Sequence, residues 1–270
     1  MLIFFEGLHS ATEAHPVSRS MHLHIMHPHH LRIFLLLPFI GWIQQIQASN
    51  IYNYDVARNR GGVVFNASND DSSLVWNTAA PSGTSAMSWN LTNMGTGVLT
   101  NTTVTKSNLV SSTGEASSVS ITVSAVSGDG YSDQTPKDGI WTGYLTTTAA
   151  NGSGPTITLE GFSAGQEVNL VLYTGNARWS GANGGDFTFG GTTKSYSESV
   201  ASSSMPLTEG VTYVRFDGLL ADSNGEIAGS FGAVSGQSAI LAGMQIEVVP
   251  EPSAAALGSL ALLALLRRRR

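Results

Sequence analysis

The sequence predicts an all-β protein: a two-sheet β-sandwich of the jelly-roll kind, between an N-terminal signal helix and a short C-terminal transmembrane helix. Three observations carry this reading. Apolar and polar residues alternate with period two in several separate stretches, clusters of Gly, Asn, Asp and Ser divide those stretches at fairly regular spacing, and helical periodicity is nearly absent between residues 49 and 250.

The elements follow in order. "SSVSITVSAV" sets Val119, Ile121, Val123 and Ala125 on one face and Ser118, Ser120, Thr122 and Ser124 on the other, the pattern of a half-buried strand. "KDGIWTGYLTTT" offers at most one helical turn among β-branched and aromatic residues, and its Trp141 and Tyr144 read as core. "PTITLEGFSAGQEVNLVLYTG" reads as strands at 156–160 and 167–174. The second is apolar on both faces, with Val168, Leu170 and Leu172 against Val171 and Tyr173, as a central strand is. "GGDFTFGGTTKSYS" and "GVTYVRFDGL" supply further strands, and "SAILAGMQIEVV" points Ile240, Ala242, Met244, Ile246 and Val248 one way. No strict repeat is visible, which disfavours propellers and β-helices.

Charge divides the 270 residues into three zones. Residues 49–250 hold sixteen acidic and seven basic residues, a net charge of −9 against −6 for the whole chain. Such a surface repels phosphate backbones, so nucleic acid is not an expected partner. The chain has no cysteine, which excludes disulfides and thiolate metal sites.

All seven histidines lie in the first 48 residues. There Arg32 precedes "IFLLLPFIGWI", the polar "QQIQ" and Ala48, the layout of a secretory signal peptide behind an N-terminal extension. The apolar stretch is too short for a comfortable span. "MHLHIMHPHH" has the composition of a metal-binding run, but as part of a targeting segment it is a polar lead-in removed with the signal. The domains expected are therefore 1–48, signal peptide with extension; 49–249, β-sandwich; and 250–270, a sorting tail.

In that tail Pro250-Glu251-Pro252 is followed by an apolar run at 253–266 and by Arg267, Arg268, Arg269 and Arg270. Fourteen helical residues rise only ~21 Å against a hydrocarbon core of ~30 Å, so a span needs arginine snorkelling or local thinning of the bilayer. Four arginines hold that end in the cytoplasm and leave the body outside the inner membrane. The three parts in this order resemble the PEP-CTERM sorting signal of exopolysaccharide-producing Gram-negative bacteria. The resemblance implies a transient membrane anchor, recognition by an exosortase, cleavage near the Pro-Glu-Pro, and delivery to the cell envelope or extracellular matrix.

A second resemblance spans residues 130–249. "ITLEGFSAGQEVNLVLYTGNA" with "YVRFDGLLADSNGEIAGSFGAVSGQSAILAGMQIEVV" is similar to exported bacterial jelly-roll domains of the galactose-binding-like and malectin-like kind. It implies the fold and, faintly, a sugar ligand.

A body without histidine or cysteine contains no Ser–His–Asp triad, Cys–His pair or His-ligated zinc, and phosphate-cradling glycine motifs are missing. Carboxylate chemistry remains. A glycosidase needs two carboxyl groups, and Glu160 with Glu167 or Asp217 with Glu226 are available, though nothing singles out a pair. Oxygen donors at Asp222, Asn224 and Glu226 around Gly225, and Asp129, Asp133 and Asp138 in "SGDGYSDQTPKDG", suit a structural calcium; ordinary Asx and Gly turns explain the same residues. "TGNARWSGANGGD" sets Trp179 beside Arg178 in a glycine-rich loop, with Asn176 and Asn183 near enough in sequence to bond sugar hydroxyls; the alternative is a tryptophan folded over the sandwich edge. Asn66, Asn90, Asn101 and Asn151 each open an N-x-[ST] triplet, frequent by chance in so Ser/Thr-rich a chain.

The expected function is an exported envelope or matrix protein with a non-catalytic carbohydrate-binding or matrix-structural body, partnered by exosortase, transiently by the inner membrane, and by extracellular polysaccharide. A carboxylate glycoside hydrolase acting on exopolysaccharide and a self-assembling surface protein without ligand are the alternatives.

Overall fold

The computed structural model describes residues 49–57, 59–60, 63–64, 75–76, 90–93, 99–130, 143–174, 183–198, 207–251 and 267–268. The strands are β1 (Asn50–Ala57), β2 (Asn59–Arg60), β3 (Val63–Val64), β4 (Leu91–Asn93), β5 (Leu99–Lys106), β6 (Ser120–Gly130), β7 (Gly143–Thr147) and β8 (Thr156–Glu160). They continue as β9 (Glu167–Tyr173), β10 (Asn183–Phe189), β11 (Thr192–Glu198), β12 (Tyr213–Leu220), β13 (Ile227–Ala233), β14 (Ala239–Leu241) and β15 (Gly243–Val248).

One sheet runs β12-β9-β15-β1-β4. The other runs β11-β10-β13-β8-β6-β7-β14, with β5 paired to β6 beside that path, and β2 pairs with β3 apart from both. The β1–β4 pair is parallel and the other ladders are antiparallel. From β9 onward the chain crosses between the sheets four times, which makes this a sandwich of the predicted kind rather than two independent meanders.

The inner faces meet in one apolar core. Register aligns Tyr52 with Ile246 and Leu170, and Tyr54 with Met244, Leu172 and Val214, so alternate residues of four neighbouring strands share the buried face. The larger sheet answers with Ile121, Val123, Ile157, Leu159, Phe187 and Phe231. Phe187 stacks on Phe231 at 5.3 Å, and Phe189 meets Phe216 of the opposite sheet at 5.2 Å. The core strand predicted at 167–174 is β9, flanked by β12 and β15, which explains its apolar residues on both faces.

Two stretches depart from strict alternation. From the residue before β6 onward, Val119, Ile121 and Val123 are buried as expected, but Ala125 is exposed and Val126 takes its place in the core. Ala125 has φ +53°, and the ladder to β5 slips between Thr102 and Val104: a bulge shifts the phase by one residue. In the closing segment the chain changes sheets. Ala239 and Leu241 face the core from β14, Met244 and Ile246 from β15, and Ala242 is the corner, its N–H bonding Tyr173 O and its carbonyl accepting from Val56 N–H. The single face expected from Ile240 to Val248 is therefore two faces, joined where the parity reverses.

Side chains stand in for missing ladder partners. Asn90, fully buried, exchanges two hydrogen bonds with the backbone of Val110 at 2.7 and 2.8 Å. Tyr196 Oη accepts from Ile240 N–H, tying β11 to β14.

Candidate functional site

The outer face of the five-stranded sheet carries the densest buried polar cluster among the described residues. Alternate residues of its strands point away from the core: Asn53 and Asp55 on β1, Gln245 and Glu247 on β15, Asn169, Val171 and Tyr173 on β9, and Tyr213, Arg215 and Asp217 on β12. Outer sheet faces are ordinarily solvated, yet Asn53, Asp55, Gln245, Val171 and Tyr173 are all buried. The segment Val75-Trp76 lies across them.

Gln245 holds that segment as a backbone would. Its Oε1 accepts from Trp76 N–H at 3.0 Å and its Nε2 donates to Trp76 O at 2.9 Å, while the same Nε2 donates to Asn53 Oδ1 at 2.8 Å. Tyr173 Oη donates to Gln245 Oε1 and accepts from Val75 N–H, both at 2.7 Å. Burial pushes the Tyr173 phenol well above the usual tyrosine range; the Val75 bond opposes this and nearby Tyr213 adds to it. The hydroxyl therefore stays a neutral donor, as its bond to Gln245 requires.

Register places Val171 between Gln245 and Arg215. The Trp76 ring reaches over it to Arg215, whose guanidinium carbon stands 5.5 Å from the ring centroid. Arg215 Nε donates to Asp217 Oδ1 at 2.7 Å, and the two side chains are 37% and 56% exposed. A half-exposed indole, a guanidinium and a carboxylate thus form one ledge, with Tyr213 beside them. Beyond Asp217, Asn169 Nδ2 bonds Glu247 Oε2 and Asn169 Oδ1 accepts from Gly218 N–H, which fixes the rim. The ledge offers an apolar ring plus one donor and one acceptor, which is recognition chemistry.

The residues singled out in the sequence are placed as follows. Asn183 opens β10, buried at 1% exposure, with neither amide atom hydrogen-bonded. Asn176, Arg178 and Trp179 lie outside the described residues, as do Asp133, Asp138 and Trp141. Asp222, Asn224 and Glu226 share one turn. Asp222 Oδ1 accepts from the Asn224 and Glu226 N–H groups at 2.8 and 2.9 Å, and these bonds hold its carboxyl below the ordinary aspartate range. Gly225 closes the turn at φ +78°, where an added Cβ would sit 2.1 Å from Phe162 O. Among the described residues no three His, Cys, Asp or Glu side chains are grouped to share a metal ion.

Glu160 accepts from Ser120 at the exposed end of β8, and Asp217 is engaged by Arg215. Leu220, 65% exposed, borders a shallow depression of about 200 Å³ with Gly190, Asp222, Glu226 and Ile227. Pro250 is half-buried, Glu251 exposed, and Arg267 and Arg268 are helical and exposed; Pro252, residues 253–266, Arg269 and Arg270 lie outside the described residues. Among the described residues no helix is long and apolar enough to cross a membrane.

Sequence reasoning missed the ledge. The alternation of Tyr213, Arg215 and Asp217 in "YVRFDG" was a signal for three polar side chains on one face, and Gln245 was the polar interruption in an apolar strand. Nothing local marks Trp76, because its partners lie 98 and 169 residues from its segment in sequence.

No family model matches this chain, and no curated protein matches it. Among solved structures it is similar to an exo-β-1,3-galactanase from Phanerochaete chrysosporium, determined with galactose, at 19% identity and a TM-score of 0.28. That likeness covers 53% of this chain and 32% of the galactanase, so the chain spans about a third of that enzyme's length.

Proposed function

We propose that this chain is an exported cell-envelope or extracellular-matrix protein, sorted and cut by an exosortase near Pro250–Glu251–Pro252, whose sandwich is a non-catalytic carbohydrate-binding or matrix-structural module. The observation that carries the binding reading is the Trp76–Arg215–Asp217 ledge. An indole whose backbone is clamped to a rigid sheet loses little entropy on binding, and a pyranose presents to it an apolar face ringed by hydroxyls. The signal-like N-terminus and the Pro-Glu-Pro, apolar and arginine tail support the export reading.

The test is a glycan array probed with the purified full-length chain in mild detergent. Binding that Trp76→Ala abolishes supports the reading, and Trp179→Ala in parallel asks whether residues 175–182 share the ligand. Release of reducing sugar from exopolysaccharide supports the glycoside hydrolase alternative instead, and silence in both assays favours a surface protein without ligand. For the tail, Glu251→Ala is expected to leave a membrane-bound precursor; processing identical to wild type defeats the exosortase assignment.

A further inference from the structure

Resting on the carbohydrate-binding reading, we infer that the ledge selects neutral glycans that present a vicinal diol, and that the Arg215–Asp217 pair reads that diol while Trp76 carries the sugar face. Three observations converge on it.

The first is hydrogen-bond capacity. Arg215 spends one N–H, Nε, on Asp217 Oδ1, and among the described residues no other group bonds its terminal nitrogens or Asp217 Oδ2. Because the pair is in contact at 2.7 Å, a free donor edge and a free acceptor edge lie side by side on the exposed surface. A hydroxyl both donates and accepts, so two adjacent hydroxyls satisfy such a pair: one accepts from the guanidinium while its neighbour donates to the carboxylate. A lone carboxylate or ammonium satisfies one edge and repels the other.

The second is charge. Arg215 is the single described cation of this face; Asp217 follows it on β12, Glu167 heads the adjoining β9, and Glu247 on β15 and Asp55 on β1 stand farther along the same face, in a body of net charge −9. An anionic polymer meets repulsion both locally and from the whole field. A neutral polymer does not.

The third is geometry. Trp76 is fixed by its own backbone to Gln245, and its ring is in contact with Arg215, so ring and pair address the same ligand from adjoining positions.

Affinity electrophoresis of the full-length chain through four polysaccharides separates the possibilities. A 1,4-linked galactan is neutral with free vicinal hydroxyls, polygalacturonate carries the same diol with a carboxylate, a 1,3-linked glucan is neutral without an internal diol, and periodate-oxidised, borohydride-reduced galactan has lost its diols. Retention is expected in native galactan, at least ~10-fold weaker in the other three. Asp217→Asn is expected to weaken galactan retention by roughly 10-fold, the scale of a bond to a charged group, and to narrow the gap with polygalacturonate. Equal retention by 1,3-glucan or oxidised galactan, or preference for polygalacturonate, overturns the diol inference while leaving carbohydrate binding standing. No retention by any neutral glycan removes both.

Discussion

Ala125 sits where a side chain is least comfortable. Its φ of +53° costs an L-residue about 1 kcal/mol or more, and it is exposed, so its methyl group returns little by packing. Glycine removes the strain at the expense of extra freedom in the unfolded chain. Ala125→Gly is therefore expected to stabilise the protein by about 0.5 kcal/mol, read as a higher urea midpoint with unchanged slope. Tyr54 makes the complementary case. Burial pushes its phenol up to about 12, while its hydroxyl approaches Thr92 without a well-aligned hydrogen bond. The unfolded chain ionises near 10, so below that pH the two states hold the same proton and nothing is lost. Between 10 and 12 the unfolded state gains, and up to about 2–3 kcal/mol of stability disappears. Tyr173 pulls in the same direction. Tyr54→Phe is expected to be near neutral at pH 7 and to move the alkaline unfolding limb upward; an unmoved limb between pH 10 and 12 contradicts the assignment.

Elements show how far a one-dimensional pattern reaches. Strands β8 and β9 were legible to within a residue because two runs rich in β-branched and apolar residues are separated by a short Gly-containing loop. β6 and the β14–β15 corner were misphased for a shared reason: a bulge or a change of sheet inserts one residue, and period-two logic cannot see an insertion that only a neighbouring strand defines. The ledge was half legible for the same reason, since β12 announces its polar face but not the segment 139 residues upstream that lies on it. The 222–226 turn was legible as chemistry with two meanings. In the fold its carboxylate accepts backbone N–H groups, so the charged form is the one the turn favours. A depressed folded-state pKa gives stability that is present above the unfolded pKa and lost as pH falls through the folded one. Asp222→Ala is thus expected to destabilise at pH 7, with the gap to wild type closing below about pH 4, where the unfolded carboxyl titrates. A gap independent of pH would mean the turn needs the side chain's shape and not its charge.

At the scale of the molecule, the register of β1 and β15 would decide which way an anchored body faces. Asn50 pairs with Val248, so the chain enters and leaves the sandwich side by side. Val249 remains tied to the sheet through Glu167 O and Gln166 Nε2, and Glu251 is exposed two residues later. If the tail anchors the precursor as proposed, the body stands on the bilayer by the end that carries Gln166, Ala221 and the 222–226 turn. The opposite end carries the 234–237 turn, the head of β12 and the last residues of β1 and β9, and it faces away from the lipid. Tyr213 and Arg215 lie toward that far end, so on the proposed anchoring the ledge would stand clear of the lipid while the tail is intact, open to the polysaccharide it is proposed to bind. The absence of native cysteine makes this measurable. Ser223 and Ser235 are both exposed, one at each end. In the retained Glu251→Ala precursor, a fluorophore on Ser223→Cys is expected to be quenched by headgroup-labelled lipid and one on Ser235→Cys to be spared. Equal quenching would mean that the sandwich lies on its side, with the ledge as close to the bilayer as the anchor.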